Sequence, residues 1–170
     1  MKTLLLLRHA KSSHKDETLS DVDRPLNKRG NGNAKLIGAV IRRKKIKPDL
    51  IVCSPAVRTR QTVDLVLKSA RLKMDVTFDE RVYEATPRVL FTILKQISEP
   101  DTVMLIGHNP GLEDLLASLT GQALTLPTAA LACVDLTVEQ WNQLRAGKGK
   151  LVYRLTPKEL TAGKPQSKVE

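Results

Sequence analysis

Residues 3–7, 50–53 and 102–106 are short, continuous apolar runs bounded by polar or turn residues, the pattern of parallel strands covered on both faces. Between them the hydrophobic period lengthens. Over 33–45, Leu36, Ile37, Val40 and Ile41 share one stripe with cations opposite, which predicts a helix that Pro48 closes. Ser54 and Pro55 read as the N-cap and first position of a second helix running to about Ala70. Further helices are predicted over 87–97 and 112–119, the latter entered through the Asn109-Pro110-Gly111 turn. Residues 74–78 add a short strand, and 131–136 and 151–155 two late ones, joined by a helix that Thr137 and Gln140 box-cap. Strands alternating with helices predict an α/β fold, a three-layer sandwich with a mostly parallel central sheet. No repeat or linker divides residues 1–157, which read as one domain; the polar, Lys-rich residues 158–170 read as a flexible tail.

A composition of 41% hydrophobic and 27% charged residues suits one soluble domain and argues against disorder as the main state. The leading apolar run meets Arg8 and His9 at once, too early for a signal core or a membrane span. No membrane partner is therefore expected, and the cytoplasm is the expected location. Cys53 and Cys133 stand in apolar contexts far apart in sequence and read as buried free thiols, which fits a reducing compartment. The net charge is +10, but nine of the 28 Lys and Arg and none of the 18 Asp and Glu fall within residues 24–48, so the rest of the chain is nearly balanced. Such a block is most often a solvated helix face, with an acidic partner as the sharper reading. With 3% aromatic residues there are few platforms for stacking bases, and nucleic acid is not expected as a partner.

The three clearest strands each run into residues suited to phosphate: Arg8-His9, then Ser54-Pro55 with Arg58 one turn later, then Gly107-His108. In an open parallel sheet, ligands bind beyond the carboxyl ends of the strands, so these groups point at one place. Alone, each histidine would read as a hydrogen-bonded structural residue and Arg58 as an exposed helical one; their convergence changes that. Helical side chains lean toward the N-terminus, so Arg58 reaches back toward the strand ends, where the helix start itself favours anions. His14, in a polar loop, reads as a surface residue.

These residues are also recognisable together. Leu7-Arg8-His9-Ala10-Lys11-Ser12 resembles the Arg-His signature of the histidine phosphatase superfamily, the phosphoglycerate mutase-like fold. Residues 54–62, Ser-Pro-Ala-Val-Arg-Thr-Arg-Gln-Thr, resemble its second phosphate-binding motif and Ile106-Gly107-His108-Asn109-Pro110-Gly111 its third. Residues 23–30 are similar to the segment that precedes the first helix in these proteins. The short chain, Ala10 where Gly is commoner, and the Gly-His-Asn-Pro-Gly run most resemble the SixA-like phosphohistidine phosphatase branch. Larger relatives, the phosphoglycerate mutases and acid phosphatases, carry insertions that close a substrate pocket, and this sequence has little room for them.

The resemblance implies two-step phosphoryl transfer through a phosphohistidine on His9, with Arg8, Arg58 and His108 donating hydrogen bonds to the non-bridging oxygens. The residue chemistry agrees: a nucleophilic imidazole must be neutral, and nearby arginines disfavour its protonated form while attracting a dianion. No metal or other cofactor is expected, and a zinc site from His9, Cys53 and His108 is the weaker reading. The resemblance also implies an acid for the leaving group. Glu84 is the candidate, with Asp79 and Glu80 as rivals and a solvated loop acid as the bland alternative. Lys11 and Ser12 are candidate substrate contacts. The expected substrate is phosphohistidine on a protein, the expected state a monomer. A phosphatase of a small phosphorylated metabolite and a non-catalytic basic module that binds phosphoproteins are the competing readings.

Overall fold

The computed structural model describes residues 1–163. Strand β1 (Lys2–Arg8) lies inside a six-stranded sheet, and its four leucines are at most 1% exposed, so both faces are covered. The other strands are β2 (Leu50–Cys53), β3 (Thr77–Phe78), β4 (Thr102–Gly107), β5 (Leu131–Leu136) and β6 (Gly149–Leu155), in the spatial order β3-β2-β4-β1-β5-β6. β1 pairs in parallel with β4, Leu7 beside Ile106, and β4 in parallel with β2, Cys53 beside Ile106. Only β5 runs against the rest, antiparallel to both β1 and β6.

The pleat of β1 assigns the layers. Leu5 and Leu7 face α1 (Lys28–Arg43) and α2 (Val57–Ala70), packing with Ile37, Ile41, Val63 and Val66. Leu4 and Leu6 face α3 (Pro87–Lys95) and α4 (Gly111–Thr120), packing with Leu90, Leu94, Leu112 and Leu116. The molecule is thus the α/β three-layer sandwich expected, with its sheet mostly parallel. Cys53 and Cys133 are buried and free.

Four local expectations are corrected. α1 starts at Lys28 rather than 33, because the Asn27 side chain accepts the Gly30 N–H and caps a first turn that its glycines and asparagines obscure. α2 starts at Val57 with Ala56 at the cap, because the Ser54 hydroxyl turns to His108. Between β5 and β6 there is no α-helix but a single 3-10 turn, Trp141–Gln143, closed by a reciprocal Gln140–Gln143 box; Thr137 bonds the Lys148 carbonyl instead. The expected tail begins helically: Thr156 caps α5 (Pro157–Thr161), and Leu160 packs on the α1 side of the core. The rest of that expected tail falls on 164–170, outside the described residues.

α1 presses on the loop that follows β1. A Cβ on Gly30 would lie 2.1 Å from the Lys11 carbonyl oxygen, whereas one on Gly32 would meet nothing within 4 Å. Helix propensity alone favours alanine over glycine by about 1 kcal/mol. Gly32→Ala is therefore expected to stabilise the protein, and Gly30→Ala to destabilise it by about 1–3 kcal/mol through overpacking. Denaturant midpoints for the two variants check this, and equal midpoints would refute the contact.

Candidate active site

The carboxyl ends of β1, β2 and β4 are tied side by side: His9 N–H bonds the Gly107 carbonyl at 3.1 Å and Ser54 N–H the Ile106 carbonyl at 3.0 Å. This brings His9, Arg58 and His108 together, as the strand-end reading requires. The His9 and His108 rings lie 5.3 Å apart.

His9 is buried, and its Nδ1 lies 2.7 Å from the Ala10 carbonyl oxygen. A carbonyl only accepts, so Nδ1 carries the ring proton and the lone pair of the neutral ring sits on Nε2. Arg8 donates through Nη1 to the Leu126 carbonyl at 3.1 Å. Arg58 reaches back along α2, donating to the Asp21 carbonyl at 2.6 Å and to the Asp21 carboxylate at 3.0 Å. Its Nη2 also lies 3.3 Å from His108 Nδ1, and since guanidinium only donates, that nitrogen accepts. His108 Nε2 then holds the proton and gives it to Ser54 Oγ at 2.7 Å.

The Nε atoms of Arg8 and Arg58 are both buried without a hydrogen-bond partner. Two buried cationic donors without a partner beside two histidines are chemistry suited to an anion. Burial first, then Arg58, Arg8 and Arg24, push His9 down to about 4, against the Ala10 hydrogen bond. Burial, His9 and Arg58 push His108 down to about 3, against Asp21. Both rings are thus neutral at physiological pH. The unfolded chain takes up protons near pH 6.5 that the folded rings refuse. Stability is accordingly expected to fall as pH drops from 6.5 toward 4. Imidazole NMR titrations of the native protein should show both midpoints well below 6.5.

Glu84 is exposed and lines a cleft of about 390 Å³ with Asp21, Arg58, His108 and Asp114. Asp79 is spent elsewhere, capping the 3-10 turn Glu80–Val82 and ion-pairing with Arg81 at 2.7 Å, and neither it nor Glu80 lines the cleft. Ser12 is buried, its hydroxyl accepting from Arg24 at 2.8 Å, while Lys11 contributes its carbonyl to the packing against Gly30 and its side chain is exposed. His14 is exposed beside Arg24.

Sequence reasoning missed the residues that hold this set in place. Asp21 joins Arg58 to Arg24, with 3.0 Å contacts to each, and accepts from the Tyr83 hydroxyl. Glu113 ties Asn109 to the Leu126 N–H, next to the carbonyl that Arg8 uses. Thr62 accepts the Ala10 N–H and donates to the Arg58 carbonyl. A carboxylate at the edge of the acid-free block was the one available signal for Asp21.

Two histidines and two arginines meet at the strand ends of this sandwich, and comparison with known proteins identifies the class. Residues 4–93 match the model of the histidine phosphatase superfamily, branch 1. An uncharacterised chloroplast protein of Arabidopsis thaliana is 33% identical over 91% of this chain and 75% of its own. An uncharacterised Mycobacterium leprae protein is 28% identical over 89% of this chain and all of its own. Among solved structures, a candidate phosphohistidine phosphatase SixA from Agrobacterium tumefaciens superimposes with a TM-score of 0.81 at 29% identity, covering 92% of this chain and 98% of that one. A protein histidine phosphatase SixA in complex with tungstate has the same fold, with a TM-score of 0.81 at 21% identity over 93% of this chain and 99% of that one. The chain belongs to the histidine phosphatase superfamily and is SixA-like within it, and the two together support phosphatase activity. Among the described residues, no helix is long and apolar enough to cross a membrane.

Proposed function

We propose that this protein removes phosphate from phosphohistidine on a partner protein, through a phosphohistidine formed on its own His9. The observation that carries the proposal is the His9 ring: its proton is fixed on Nδ1, which leaves Nε2 unprotonated, and the ring lies 5.3 Å from that of His108, which Arg58 contacts. Nε2 attacks phosphorus, the bond from phosphorus to the leaving nitrogen breaks, and the released imidazole takes up a proton. Water then attacks the phosphohistidine, releasing inorganic phosphate and restoring His9. Arg8 and Arg58 stabilise the charge on the transferred oxygens. A phosphoryl oxygen that accepts the Arg58 Nη2 hydrogen bond takes it from His108 Nδ1, and His108 keeps its ring proton on Nε2. The likeness to SixA structures over nearly their whole length supports a protein substrate, as does the lack of room for a closing insertion.

The test is a comparison of kcat/KM on a phosphohistidine-bearing protein with a panel of alkyl and sugar phosphates. Faster turnover of the protein substrate is expected; faster turnover of a small ester would favour the metabolite reading, and binding without turnover the non-catalytic one. Glu84 is assigned as the proton donor for poorer leaving groups. Glu84→Gln is expected to slow an alkyl phosphate by about 100-fold and a phosphoramidate far less, because the nitrogen leaving group needs less acid. An equal, small effect on both would return Glu84 to the solvent.

A further inference from the structure

The cleft beyond Arg58 and His108 has a charge opposite to that of the chain. The protein carries +10, yet Glu84 and Asp114 stand in this cleft with exposed carboxylates that make no ion pair or hydrogen bond among the described residues. Among the described residues, Arg58 is the one Lys or Arg lining it, and its Nη atoms are engaged by Asp21 and His108. The fold takes trouble to bring these acids together. Glu84 adopts φ 53°, a left-handed conformation rare for its residue type. A Cβ on Gly111 would lie 2.3 Å from the Ala85 carbonyl oxygen, so the first turn of α4, which carries Asp114, rests directly on the Glu84–Ala85 turn.

Two free carboxylates next to a site that gathers a phosphoryl dianion repel the substrate unless it brings compensating charge. A second observation places a ligand here independently of the acids: Arg58, 5% exposed, lines the same cleft with its Nε unpartnered, so the anionic end of whatever enters belongs against it. We propose that the cleft selects substrates carrying a cation, an ammonium or guanidinium, beside the phosphoryl group, with Asp114 as its counter-charge and Glu84 adding to it where the leaving group needs no acid. This rests on the phosphatase reading and deepens it. The cation is either a Lys or Arg flanking the phosphorylated residue of a protein or the amine of a small phosphorylated compound.

The experiment compares kcat/KM across phosphocholine, glycerol phosphate and phosphoglycerate, and across phosphohistidine peptides with Lys or Glu beside the phosphorylated residue. A preference of about fivefold to tenfold for the cationic member is expected, the scale of one or two partly exposed ion pairs, and it should fade with added salt. Asp114→Asn should shrink that ratio and Asp114→Lys invert it, with Glu84 untouched. A preference confined to the peptides assigns the cation to a protein neighbour; one shared by phosphocholine assigns it to the small ligand. The same compounds titrated onto His9→Ala read the preference without chemistry. Charge-selective binding with no turnover by wild type would keep the cleft assignment and overturn the phosphatase reading. Turnover and binding indifferent to charge would overturn the cleft assignment and leave the phosphatase reading standing.

Discussion

Replacing His9 by alanine is expected to reduce turnover by on the order of 10⁴-fold or more, the scale for removing a covalent nucleophile. The fold should survive, since the ring's one hydrogen bond is to the adjacent Ala10 carbonyl. No neighbour takes its place. Ser54 is fully buried and its hydroxyl meets His108; Cys53 is also fully buried, and burial pushes its thiol up to about 12, so no thiolate forms. Rapid quench of the wild-type enzyme with labelled substrate should trap phosphate that is acid-labile and alkali-stable, as a phosphoramidate is. Trapped phosphate on Ser54 or Cys53 instead would overturn the assignment of His9.

Arg58→Ala is expected to lower kcat/KM by about 10²- to 10³-fold, the loss that follows removal of one preorganised charged donor. Two effects add. The transferred oxygens lose a cation, and Asp21, held at 3.0 Å by Arg58, becomes a carboxylate close to the incoming dianion. Arg58→Lys should recover little, because one ammonium cannot hold Asp21 and the phosphoryl group in the planar fork a guanidinium provides. Vanadate affinity should fall in parallel with the rate. If the alanine variant kept near-wild-type kcat, Arg58 would be only the anchor of the Asp21 loop.

The central strands and the three strand-end motifs were legible because a buried parallel strand writes itself as a continuous apolar run, and the residue after it is the one that reaches the crevice. The limits of β2 could be read to the residue for that reason. Periodicity is silent about irregular backbone, and the gaps lie there. Asp21 meets Arg58 across 37 positions and Tyr83 across 62, both through loops whose course no local pattern encodes. Glu84 was the candidate acid, with Glu80 and Asp79 close enough in sequence to compete. What separates them is that Asp79 is consumed as a turn cap while Glu84 turns into the cleft. The first turn of α1 was hidden for a different reason: Gly30 and Gly32 weaken the helical signal, and at Gly30 the glycine is there for the loop it touches.

Trp141, the only tryptophan, is fully buried and donates its indole N–H to the Pro100 carbonyl, just before β4 begins, whereas His108 follows the end of that strand. The length of β4, roughly 20 Å at about 3.3 Å per residue, therefore separates the fluorophore from the pocket that His108 lines. Intrinsic emission is a clean optical readout of global unfolding for every variant discussed above, and it is blind to what occupies the pocket. Ligand titrations need a different reporter, and the natural one is Tyr83, whose ring edges onto His108 with centroids 5.4 Å apart.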